Sequence, residues 1–527
     1  MATPPLNRRD FLKHGLSLSA LASSAIAAGV ALAATDSSAS TAARASVASP
    51  PSFNDWRRLG NSLSGTLVLP SDPNYATDRL LYNSKFTNLH PAAIAYCETR
   101  DDVSRCVDFT NRRSLEIAAR SGGHSYGGYS SCSGLVVDVS RLNAVTVNTK
   151  SDAATVGSGA QLIDVYNAIG QRDRLLPGGS CPSVGIAGLT LGGGVGVFAR
   201  KFGLTCDNLQ SVEMVTAAGD QLTASADRHS DLFWASRGGG GGNFGIATSF
   251  EFLVHPMPEV TLFTLQYPWD AATSLLEAWQ HWIMTTPDEL WSNCQLLSQG
   301  TYGYLLQVSG VLCGTPTELT SHLASLRAGV GTPPSATFVG SNDYLQAMMI
   351  EAGCSGLSVA ACHLPTSNHL GMLSREAYSA KSSYLDSPTT TAHTQRLVDA
   401  VVALKSEAPT VGGGLAFDAY GGAINRIEAS STAFVHREKL AGIQATYSWS
   451  NYTSPLEIDA GRRWLTWLGS DVFDASTGAY QNYIDPTLAR WPTAYYGNNL
   501  KRLVSVKRTY DPQNKFSFFQ SVPLHLE

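Results

Sequence analysis

The sequence predicts an α+β chain built around more than one core. Its 527 residues exceed what one small core organises. No repeat of solenoid length recurs, so the architecture comes from layered elements. Short strands alternate with helical stretches on both sides of a proline-punctuated break, His255-Pro256-Met257-Pro258.

The elements follow in order. Leu115–Ala119 and Leu135–Asp138 read as short strands flanking a glycine-rich loop. Ser211–Ser225 reads as a hairpin, with alternating apolar residues around an Ala-Gly-Asp turn. Asp231–Ser236 reads as a helical turn capped by Ser230, and Gly238–Gly245 feeds the strand Ile246–Val254. Beyond the break, the patterns give helices over Thr273–Met284 and Leu319–Ala328. They give strands over Tyr304–Leu312, Leu415–Tyr420 and Ala441–Trp449.

With 43% hydrophobic residues, 15% charged residues and a net charge of -5, the chain offers no cationic surface for a phosphate backbone, which excludes nucleic acid as an expected partner. The nine cysteines form no C-x-x-C pair and stand beside no histidines at zinc spacing, so no metal site is expected. Cys354 and Cys362 either close a short loop in an oxidising compartment or remain two buried thiols. The N-terminus, with Arg8-Arg9 ahead of the Ala/Ser-rich run Gly15–Ala34, resembles a bacterial twin-arginine export signal. That implies a partnership with the Tat translocase, a secreted or periplasmic location, and a cofactor loaded before export. Residues 1–34 are read as signal and 35–53 as a disordered tether. No later apolar run is long enough for a stable membrane span.

Three glycine-rich loops lie within Ser121–Gly245. Gly240-Gly241-Gly242-Asn243-Phe244-Gly245 matches G-x-G-x-x-G but precedes a strand and opens no helix, so it is no Rossmann fingerprint. Without Cβ atoms, however, three such loops can bring successive N-H groups to a pyrophosphate. A dinucleotide held in another manner is the favoured reading.

Four ordered stretches carry a family resemblance: Arg120-Ser121-Gly122-Gly123-His124; Cys181-Pro182-Ser183-Val184-Gly185 with Gly192-Gly193-Gly194; Arg237–Gly245; and NYIDPTLARWPTAYYGNNLKRLVSVKRTYDPQNKF. Together they resemble FAD-linked oxidases of the berberine bridge enzyme-like group in the vanillyl-alcohol oxidase superfamily, including glucooligosaccharide oxidases. The resemblance implies a PCMH-type FAD-binding domain of two α+β subdomains over residues 54–255. It also implies an α+β substrate domain with an antiparallel sheet over 256–470, and a C-terminal return to the FAD domain over 471–527. It implies FAD attached twice, through His124 and Cys181, and cradled by Arg120, Ser121, Gly122, Gly123, Ser125, Gly185, Gly188, Gly192, Gly193, Gly245, Ile246, Tyr483 and Asn498.

The same resemblance makes Tyr483 the catalytic base with Asp418 as its partner, and Tyr420 and Gln444 polar contacts to substrate. Val184 becomes the small residue that leaves dioxygen a path. The implied activity is oxidation of a sugar or other alcohol with O2 as acceptor and hydrogen peroxide as product. The alternatives are a dehydrogenase with another acceptor and a flavin-containing binding protein without turnover. Leu189, Val195 and Gly442 stand where plant members often carry histidine, tyrosine and lysine, so plant substrates do not transfer.

Overall fold

The computed structural model describes residues 50–474 and 477–526. The stretch read as an export signal and nearly all of the expected tether lie outside the described residues. The tether ends sooner than expected: Ser52 caps the helix Phe53–Ser62, its hydroxyl accepting from the Asp55 amide while the Asp55 carboxylate accepts from the Ser52 amide.

The first sheet is made of β1 (Thr66–Val68), β2 (Ala93–Tyr96), β3 (Ile117–Arg120) and β4 (Leu135–Asp138), in the order β1-β2-β4-β3. β4 runs parallel to both its neighbours, which requires the crossover helix Arg100–Arg113 and buries all four residues of Leu-Val-Val-Asp. β3 starts two residues later than the sequence suggests. Ser114 adopts φ 50° at the end of that helix and Leu115 closes the turn through the Thr110 carbonyl.

Next come β5 (Val145–Asn148), β6 (Ala153–Gly157), the short β7 (Arg174–Leu175), β8 (Leu209–Val215), β9 (Gln221–Ser225) and β10 (Ile246–Leu253). All but β7 form an antiparallel sheet ordered β5-β6-β10-β8-β9. The β8–β9 hairpin pairs Ser211 with Ser225, and Gly219 supplies the φ of 87° its turn needs. Ser230 is not the cap of the helix Ser230–Ala235: it is the first helical residue, after His229 at φ 48°. The break at 255 also shifts. β11 (His255–Pro256) pairs with β7, and His255 shares a hydrogen bond with Asn208, so the chain leaves this body only after Pro256.

The remaining strands are β12 (Val260–Gln266), β13 (Leu290–Gln299), β14 (Tyr304–Cys313), β15 (Ala336–Asn342), β16 (Ala377–Leu385), β17 (Gly412–Ala419) and β18 (Ala441–Trp449). They form a seven-stranded antiparallel sheet ordered β15-β12-β14-β13-β17-β18-β16. Helices including Ala272–Ile283, Thr391–Glu407 and Pro455–Trp467 cover one face, where Phe417, Ile443 and Ala445 are buried. The alternate residues Trp291, Asn293, Gln295, Ala416, Asp418 and Gln444 turn to the other face and line a cavity. β17 begins at Gly412 because its neighbours approach too closely for side chains. A Cβ on Gly413 would lie 2.2 Å from the Thr446 carbonyl oxygen, and one on Gly414 2.3 Å from that of Leu296.

After residue 477 the chain packs back on the first body. Lys507, fully buried in the helix Leu500–Tyr510, donates to the carbonyls of Asn243 (2.8 Å) and Phe516 (2.6 Å) and to Asp511 (2.7 Å).

Candidate active site

The cavity between the glycine loops and the large sheet has a volume of about 1780 Å³. A site for one small ligand spans roughly 300–1,000 Å³, so this one has room for a dinucleotide and a substrate together.

The glycine loops form its first wall. Arg120, buried at the end of β3, pairs with Asp138 and lines the cavity, its guanidinium lying over the Tyr96 ring. The Ser121 hydroxyl donates to the Ser158 carbonyl at 2.7 Å, and the Ser125 hydroxyl accepts from the Tyr129 amide at 3.1 Å. A Cβ on Gly122 would lie 2.3 Å from the Gly185 amide nitrogen, so the two loops touch backbone to backbone. Gly123, at φ 70°, turns the chain into His124. The His124 ring stacks on Tyr82 at 4.0 Å, and its Nε2 lies 2.9 Å from the Ser183 hydroxyl. Burial drives its pKa down to about 3, which favours the neutral imidazole. Cys181 lines the same cavity with its thiol pushed up to about 11 by burial. Val184 and Gly185 follow it, and a Cβ on Gly188 would meet no protein atom within 4 Å. Gly245 and Ile246 complete this wall. Open glycine backbone of this kind suits the pyrophosphate of a dinucleotide such as FAD.

Three expected cofactor contacts lie elsewhere. Gly192 and Gly193 do not line the cavity; Cβ atoms there would lie 1.9 Å from Asn482 Oδ1 and 2.9 Å from the Phe434 ring. They are the seat on which the C-terminal segment rests. Asn498 is exposed on the outer side of the turn Gly497–Asn499. Its neighbour Asn499 is the buried one, donating to the carbonyls of Ala429 (2.7 Å) and Thr432 (3.0 Å).

The opposite wall carries the polar groups. Tyr483 stacks on Tyr126 at 5.2 Å and meets the edge of Tyr480 at 4.9 Å. Gln444 donates to the Tyr126 hydroxyl at 2.8 Å. Asp418 accepts from Asn293 Nδ2 at 2.6 Å, and burial pushes its carboxyl up to about 6. Among the described residues no hydrogen bond joins Asp418 to Tyr483. Both instead border a side cavity of about 10 Å³, the lower limit for one water. Burial and then the Asp418 charge hold the Tyr483 phenol well above its ordinary range. Tyr420 borders that side cavity rather than the main one, its ring filling the space above Gly442, where a Cβ would approach it to 3.1 Å.

The sequence reading missed Tyr82, Tyr126, Asn293, Glu351 and Glu376, all lining the cavity. Burial raises both glutamates to about 7. Tyr126 was within reach of sequence reasoning, two residues after His124 in the same loop.

Comparison with known proteins agrees with this geometry. Residues 91–225 match the FAD binding domain family, and residues 479–523 the berberine and berberine-like family. The FAD-linked oxidoreductase YgaK of Bacillus subtilis is 33% identical over 467 residues, covering 88% of this chain and 97% of that protein. BBE-like 1 of Physcomitrella patens superposes with a TM-score of 0.80 at 29% identity, covering 90% of this chain and all of its own. The glucooligosaccharide oxidase of Acremonium strictum, described with a 6-S-cysteinyl, 8α-N1-histidyl FAD, superposes with a TM-score of 0.80 at 26% identity over 90% of this chain and all of its own. The chain therefore belongs to the berberine bridge enzyme-like family of FAD-linked oxidoreductases.

Proposed function

We propose that the protein is an exported oxidase that removes hydrogen from an alcohol carbon of a sugar or secondary metabolite, with FAD attached to His124 and Cys181. One observation carries the reading: a single cavity joins both attachment residues on one wall to Tyr483 and Asp418 on the other. Bound here by the glycine loops with His124 and Cys181, FAD would supply the hydride acceptor and the path of electrons to dioxygen, with hydrogen peroxide as the product. The rest is the work of the chain. Neutral His124 and the Cys181 thiol are the nucleophilic atoms for the two attachments. Tyr483 accepts the substrate hydroxyl proton, and Asp418 receives the proton Tyr483 must shed, relayed across the side cavity they share. An ionised Asp418 does not make the phenol more acidic; it is the acceptor for its proton. Gln444 fixes the Tyr126 ring on which Tyr483 stacks. Val184, smaller than leucine, leaves the approach to the reacting face open. The twin-arginine signature supports loading of the cofactor before export.

Anaerobic addition of alcohols and sugars to the yellow protein should bleach it, and air should restore the colour with release of peroxide. Bleaching followed by slow recovery in air overturns the oxidase reading, and absence of bleaching by every alcohol overturns catalysis.

A further inference from the structure

Ser183 sits behind the wall that carries His124 and Cys181 and does not itself line the cavity. Cys181-Pro182-Ser183-Val184 is a turn, closed by the Val184 amide on the Cys181 carbonyl at 3.4 Å. It is pinned from two directions. The amides of Leu162 and Ile163, at the start of the helix Leu162–Gly170, donate to the carbonyls of Val184 (3.0 Å) and Pro182 (3.1 Å). Gly122 presses on it from the other loop, since a Cβ there would come within 2.6 Å of the Ser183 carbonyl oxygen. Ser183 is thereby fixed, 1% exposed, with its hydroxyl 2.9 Å from His124 Nε2.

The His124 ring has two restraints. Tyr82, whose amide donates to the Gly123 carbonyl at 3.2 Å, stacks on its face, and the Ser183 hydroxyl meets its edge. Nδ1 has no hydrogen-bond partner among the described residues. A neutral imidazole carries one proton and a hydroxyl one, so the direction of the bond at Nε2 depends on where the hydroxyl proton points. Cys181 is its other neighbour: burial raises that thiol, and hydrogen bonds from the Ser183 hydroxyl and amide draw it part of the way back. With its proton turned to sulfur, the hydroxyl oxygen meets His124 as an acceptor. We infer that Ser183 is a positioning residue for flavin attachment: its hydroxyl accepts from His124 Nε2, holds the ring in the tautomer whose free nitrogen is Nδ1, and donates to the Cys181 sulfur. This inference rests on the reading of His124 and Cys181 as attachment points. Joining Nδ1 to the 8α carbon replaces one C-H and the Nε2-H by a C-N bond, and joining Cys181 to C6 replaces one C-H and the S-H by a C-S bond. Each releases two protons and two electrons, which dioxygen takes up as hydrogen peroxide.

The test uses full-length wild type, Ser183→Ala and Ser183→Thr, produced without riboflavin and then mixed with saturating FAD in air. Covalent flavin is read as colour retained after acid denaturation, and its linkage by mass spectrometry and NMR of the isolated flavin peptides. Wild type should be joined through His124 Nδ1. Ser183→Ala should attach flavin at His124 at least about tenfold more slowly, the effect of losing one hydrogen bond to the attacking ring. Ser183→Thr, which keeps the hydroxyl, should stay within about threefold of wild type. Linkage through Nε2, an Ala variant as fast as wild type, or a Thr variant as slow as Ala overturns the inference. The linkage nitrogen is read in wild type, whatever the fate of the Ala variant. Wild type that binds FAD and joins none of it to His124 overturns the attachment reading and the inference with it, whereas attachment indifferent to Ser183 overturns the inference alone.

Discussion

His124 and Tyr483 differ in how far their surroundings must be assembled before their chemistry appears. His124 is announced by the glycines before it, whose positive φ and close backbone approach are local requirements legible in the sequence. The role proposed for Tyr483 needs Asp418, which is held by Asn293, 125 positions away, through the β13–β17 pairing alone. Tyr483→Phe should slow anaerobic flavin reduction at least about a hundredfold, the usual worth of a general base; a wild-type rate would place the base elsewhere. The pH profile separates its partner. With Asp418 at about 6, reduction should accelerate as pH rises through that value, and Asp418→Asn should abolish this limb. Glu351 and Glu376, both at about 7, leave a later inflection in both proteins. Stability runs the opposite way, because a folded pKa raised from 3.8 stabilises fully below that value and loses its contribution as pH climbs through about 6. The Tm of Asp418→Asn should therefore gain on wild type between pH 4 and pH 8.

At the scale of elements, strands with clear alternation were the most legible; β18 coincides with its sequence reading because every second residue faces the helical layer. β17 was read as starting three residues too late because a run of glycines ordinarily argues against a strand, and only the crowding by β13 and β18 explains it. Asn498 is exposed while its neighbour Asn499 is buried, because the tight turn Gly497–Asn499 points adjacent side chains in opposite directions. Elements also decide what the loops tolerate. Gly122→Ala forces its Cβ onto the Gly185 backbone, and the purified variant should carry little flavin by absorbance. Val184→Leu tests the loop after Cys181: reduced enzyme mixed with air should reoxidise more slowly than wild type in stopped flow.

The whole molecule is two bodies stitched by distant charges. Arg437 reaches Asp207 with two hydrogen bonds, at 2.8 and 2.7 Å, both side chains buried. Lys507 ties the C-terminal helix to the loop before β10. Lys507→Met should destabilise the protein by about 3–5 kcal/mol, because Asp511 is left buried without its cation; a denaturation midpoint equal to wild type would refute this. Denatured wild-type protein should retain its yellow colour, and His124→Ala and Cys181→Ala should each keep one attachment. If acid releases all flavin from well-folded wild type, neither residue is a point of attachment. The Arg437–Asp207 and Lys507–Asn243 contacts were not visible in composition or spacing, because their sequence separations of 230 and 264 exceed any local pattern. The consequence of this stitching falls on synthesis. Gly192 and Gly193 receive Asn482 and its neighbours, so this seat is filled by residues made nearly three hundred positions later. The first body emerges early and must wait, half made, for nearly three hundred residues of translation. Cofactor capture should therefore wait for that segment, and a chain stalled before residue 482 should accumulate as colourless apoprotein.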